Sequence, residues 1–143
     1  MATTAQGSVE IKASPADVMN AIAAIEDMPK WSSSHKSAVV DSRYDDGRPK
    51  LVTMEVSQVG VTDKLQVEYT WQGDTEVSWK LVSSSQLDQQ EGNYVLTPSG
   101  SGTKADFSLT VDLKIPLPGF LVKKAIKSGV DTATKGLKKW VEK

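Results

Sequence analysis

Few side chains in this sequence are equipped for acid, base or nucleophilic chemistry, and their spacing restricts them further. His35 is the only histidine among 143 residues, and there is no cysteine. Imidazole titrates near neutral pH, so His35 is the candidate for relaying a proton, with a tyrosine as the other relay a cyclase would use; the alternative for His35 is a solvated residue of a serine-rich loop. No residue is assigned a catalytic role beyond these. Glu26 and Asp27 are adjacent, and neighbours on a helix diverge by about 100°, which suits a helix end better than a shared carboxylate pair. The serine clusters at residues 32–34 and 83–85 lack the G-x-S-x-G setting of an activated nucleophile and read as loops. Without cysteine, and without an H-x-x-x-H, H-E-x-x-H or calcium-loop pattern, no metal site and no cofactor is expected. Gly100-Ser101-Gly102 is not a phosphate loop, because it lacks the Gly-Lys-Ser/Thr that follows and joins two strand patterns.

The elements that would position these residues follow from composition and periodicity. Apolar residues make up 38% of the chain and charged ones 24%, which predicts one soluble domain spanning residues 1–143, and the strand and helix periods traced below make it α+β. Residues 1–7 lack the basic start and apolar stretch of a secretory signal, so the expected location is the cytoplasm. The balance of 17 basic against 18 acidic residues argues against a nucleic-acid partner. The charge is nevertheless polarised: residues 119–143 carry seven lysines against Asp131 and Glu142. That reads as a solvated helix face, or as a surface for anionic lipid or an acidic partner.

A short strand is predicted over residues 7–13. A helix follows, with Ser14 as its cap, Pro15 in its first turn and Val18, Ala21, Ile22 and Ile25 as an apolar stripe that ends before Pro29. A second short helix ends near Trp31. The period then changes to two, predicting strands over 38–44, 51–58 and 64–71, one through Val77, Trp79 and Leu81, one through Tyr94 and Leu96 to Pro98, and one over 104–115. From Phe120 to Glu142 the helical period returns, with Val122, Ile126, Val130, Ala133, Leu137 and Val141 as its stripe. At about 1.5 Å per residue this helix is roughly 35 Å long, enough to lie across the dry face of the sheet.

This order resembles the helix-grip fold of the START-related superfamily, a curved antiparallel sheet of about seven strands gripping a long C-terminal helix. Within it the chain is similar to the polyketide cyclase/dehydrase (SRPBCC) family, and to its small actinobacterial members. Four segments carry the match: Ser14-Pro15-Ala16-Asp17, Asp27-Met28-Pro29-Lys30-Trp31, Val67-Glu68-Tyr69-Thr70-Trp71, and residues 111–119. None is a catalytic signature. The resemblance implies an apolar cavity between sheet and helix that binds or transports a lipid, fatty acid or polyketide-like molecule. Its lining is expected from Met54, Val67, Tyr69, Trp79, Tyr94, Phe107 and Leu109 of the sheet and Ile126 and Val130 of the helix, with Met28, Trp31 and His35 near the opening. Periodicity alone does not separate such a cavity from a filled core. Tyr69, Tyr94 and the indoles of Trp31 and Trp79 would orient a ligand's oxygen atoms. The alternatives are a polyketide cyclase, aromatase or dehydratase working in the same cavity, and an interaction module docking through the basic helix. A monomer or weak dimer is expected, and the apolar connection over residues 115–121 joins the helix lysines as a peripheral contact for an anionic membrane.

Overall fold

Side chains that alternate between wet and dry along 80 residues can satisfy both faces only as strands, and the chain builds one sheet from them. The computed structural model describes residues 2–58, 60–114 and 116–143. In it β1 (Thr3–Ile11), β2 (His35–Arg43), β3 (Pro49–Gln58), β4 (Val61–Gln72), β5 (Glu76–Ser84), β6 (Leu87–Ser99) and β7 (Gly102–Leu113) form an antiparallel sheet in the order β1-β7-β6-β5-β4-β3-β2. Strands β2 to β7 are a meander, and β1 closes onto β7. Register shifts within β2/β3, at Gln66/Val67 and at Leu87/Gln89 bend the ladder and help curve the sheet. Ile115, the last residue of the strand predicted over 104–115, lies outside the described residues.

The first helix, α1 (Pro15–Ala23), starts as the sequence predicts: Ser14 Oγ accepts the Asp17 N–H at 3.1 Å and Pro15 opens the first turn. It ends earlier than expected. Pro29 does not stop it; a 3₁₀ turn (Ile25–Asp27) intervenes, and Pro29 instead sits in the first turn of α2 (Met28–Trp31), where its missing N–H costs nothing. The C-terminal helix is continuous over residues 119–141 as α3 (Gly119–Asp131), a π-helical turn (Thr132–Gly136) and α4 (Leu137–Val141). Its buried stripe is Ile126, Val130, Ala133 and Leu137, joined by Thr134, whose hydroxyl donates to the Val130 carbonyl at 2.8 Å. The helix rests mainly on β1 and β7. Close approach is achieved at Gly7, where an added Cβ would come within 2.7 Å of Val130 Cγ1.

Candidate functional site

The inward positions of β3 to β7 face α3 across a cavity of about 200 Å³. Met54, Leu65, Val67, Tyr69, Trp79, Tyr94, Phe107, Leu109, Val111 and Leu113 form the sheet wall. The helix wall is low because its side chains are small: Ala125, Gly129 and Ala133 face the hollow beside Val122, Ile126 and Thr132. Ile22, Met28, Trp31, Ser32, Ser34 and His35 close the side toward α2. One aromatic from each of four successive strands lines the inner part, with ring centroids 5.4 Å apart for Tyr69–Trp79, 5.8 Å for Trp79–Tyr94 and 4.9 Å for Tyr94–Phe107. Trp79 can lie flat there because its register partner is Gly92, where a Cβ would overlap the indole.

The mouth is set by strand direction. The start of β2, the β3–β4 and β5–β6 turns and the end of β7 all fall at the same end of the sheet, and wall residues Val56, Val61, Gln86, Leu87 and Leu117 come from these places. There the β5–β6 ladder stops at Lys80–Glu91. In its place the buried Asp63 carboxylate accepts Ser85 N–H at 3.0 Å, Ser85 Oγ–H at 2.7 Å and the Ser84 hydroxyl. The Ser84 oxygen accepts Gln86 and Leu87 N–H at 3.1 and 2.9 Å. The serines near residue 84 therefore do more than make a loop: they satisfy an anion in the cavity wall.

Eleven of the twelve predicted wall residues line the cavity. Val130 does not: successive helical residues are turned by about 100°, so it faces Gly7 of β1 while Gly129 faces the hollow. His35 corrects another expectation. It begins a strand rather than sitting in a solvated loop, its Nδ1 is 2.6 Å from Ser32 Oγ, and burial lowers its pKa from 6.5 to about 4. It is therefore neutral at pH 7. Tyr94 cannot offer its proton to a ligand, because its hydroxyl donates to the Ala133 carbonyl at 2.9 Å in the π-helical turn. The Tyr69 hydroxyl makes no hydrogen bond to another described residue, and burial pushes both phenols well above their ordinary pKa, so both stay protonated. The Trp31 indole N–H is the one buried side-chain donor left without a partner among the described residues.

Sequence reasoning missed Asp63, Gln90, Ser32 and Ser34. For the first two the signal was present, since Asp63 shares the parity of Leu65, Val67 and Tyr69, and Gln90 that of Tyr94; beginning β4 at residue 64 hid Asp63. The apolar connection before α3 divides: Leu117 lines the cavity, whereas Phe120 is 72% exposed. Among the described residues no group of three or more metal-binding side chains forms a cluster, and no helix is long and apolar enough to cross a membrane.

A family model described as polyketide cyclase/dehydrase and lipid transport matches residues 2–142. The chain belongs to this family. The fold also agrees with that of solved structures over almost the full length. A START superfamily protein from Mycobacterium smegmatis is 25% identical, with 97% of each chain covered and a TM-score of 0.87. A protein from Thermus thermophilus is 23% identical over 97% of each chain, with a TM-score of 0.81. The Zhui aromatase/cyclase from Streptomyces sp. R1128 is 8% identical, covering 99% of this chain and 94% of its own, with a TM-score of 0.80, a likeness of fold alone. No curated protein matches the chain.

Proposed function

We propose that this chain binds a hydrophobic small molecule in the cavity between sheet and long helix and carries or shelters it from water. The observation that carries this reading is the hollow itself. Protein interiors are packed to crystal density, so an apolar-lined cavity of about 200 Å³ between sheet and helix is space that this fold keeps open rather than fills. Family membership supports the same reading. The space equals roughly seven water volumes at ~30 Å³ each, so a medium-length chain or a small ring system fits within it. A longer lipid or a large polyketide would project through the mouth or displace its side chains. Seven buried methylenes at ~0.8 kcal/mol each supply roughly 5–6 kcal/mol before association entropy is subtracted.

Plugging the hollow tests this. Ala125→Phe puts a large ring on the helix wall; titration with the neutral dye Nile red is expected to show affinity at least tenfold weaker, with the thermal midpoint unchanged or raised. Equal dye binding by both proteins would overturn the reading.

A cyclase or dehydratase working in the same cavity is the second reading, and His35 is the observation that favours it. Its neutral imidazole lines the wall with Ser32 behind it. A base whose pKa is held near 4 accepts protons poorly at neutral pH, which is why binding is placed first.

A further inference from the structure

Taking an anion out of water is far costlier than burying a neutral oxygen unless a counter-charge or several donors meet it. Among the described residues no lysine or arginine lines this cavity. Its one anionic wall residue is Asp63, 6% exposed, whose donors are supplied by Ser84 and Ser85 and none is left to share. His35 contributes a neutral ring. The lysines at the start of α3 are exposed and stay outside. The wall offers donors instead: the Trp31 indole N–H on the side toward α2, without a partner among the described residues, and on the sheet the Tyr69 hydroxyl, for which no hydrogen bond to another described residue is seen, while the neighbouring Tyr94 hydroxyl is committed to the helix. Six residues of strand, about 20 Å at 3.3 Å each, separate Tyr69 from Asp63, so the donor lies deep and the anion lies near the mouth.

We infer that the cavity selects uncharged molecules bearing a hydrogen-bond acceptor, such as a ketone, aldehyde or ester, with that oxygen on Tyr69, and discriminates against free carboxylates of equal chain length. This rests on the ligand-binding reading and narrows it, removing fatty acids from the ligands named above. The physical asymmetry is between a neutral acceptor, which gains one hydrogen bond, and a carboxylate, which loses its hydration and meets a like charge on the way in.

The test is displacement of Nile red from the full chain at pH 8 by nonan-2-one, nonane and nonanoate. The ketone is expected to displace the dye at a concentration at least tenfold below nonanoate and several-fold below nonane. Tyr69→Phe, which keeps the ring and removes the donor, should bring the ketone down to the alkane's level with the thermal midpoint as the folding check. Asp63→Asn should improve nonanoate several-fold. Nonanoate matching the ketone in the unmodified chain would overturn charge selection, and this comparison stands even if a variant fails to fold. A ketone advantage that survives Tyr69→Phe would overturn the role of Tyr69. A chain that binds the dye and none of the three refutes the selectivity alone, whereas a chain that does not bind the dye refutes the cavity reading beneath it.

Discussion

The two ends of the sheet are made from the same strands and the same long helix, yet one is solid and the other hollow. Where β1 ends and β7 begins, Ile11, Leu96 and Ala105 meet Val18 and Met19 of α1 and Leu137 of α4, all nearly or fully inaccessible. Where β7 ends and α3 begins, equally apolar strand positions face Ala125, Gly129 and Ala133 across the cavity. The alternation of the strands does not distinguish the ends. The difference is what the helices deliver: α1 packs on β6, β7 and α4 and fills one half, whereas at the other the four-residue α2 brings Met28 and Trp31 to the side of a cavity beneath the small residues of α3.

The sharpest break of this contrast is a pair of truncations. Leu137→Ala at the solid end removes a side chain with 0% exposure and is expected to cost about 3–5 kcal/mol in urea unfolding. Leu109→Ala, whose side chain already borders the cavity, should fall at or below the low end of that scale, about 2 kcal/mol. Equal losses would mean that the two ends are packed alike. Next in size is an acid sensitivity confined to the hollow end. The folded His35 pKa of about 4 lies below its unfolded 6.5, so the unfolded chain binds the extra proton between these values. Stability is therefore full above pH 6.5 and falls as pH drops toward 4, by roughly 3 kcal/mol in all. His35→Gln should flatten that part of the pH profile in denaturant titrations; an unchanged slope would assign the proton uptake elsewhere. The smallest effect sharpens the boundary between the halves. Tyr94→Phe leaves the Ala133 carbonyl without its donor and is expected to lower stability by about 1–2 kcal/mol, and a neutral result would show that the π-helical turn satisfies itself.

Much of this architecture was legible before any coordinates. Ser14 and Pro15 announce α1 because capping is local, and Tyr69, Trp79 and Phe107 announce their face because the strand period is two. The site was legible where parity alone decides it, as at Met54 and Leu109, and illegible where a partner distant in sequence decides it. Asp63 needs Ser84 and Ser85, twenty-odd residues away, to be tolerated in the wall. Tyr94 looked like a free donor until the π-helical turn placed the Ala133 carbonyl above it.

By itself, then, the sequence determined the order of elements, the dry face of the sheet and the apolar stripe of the helix, since each arises from periodicities that neighbouring residues set. Only the tertiary structure decided that Val130 turns to β1, that His35 is half-buried and neutral, and that one half of the interior keeps a cavity. Such a cavity is a mismatch of volumes between segments far apart in the chain, and no local pattern records how large the opposing side chains will be once the helix settles on the sheet.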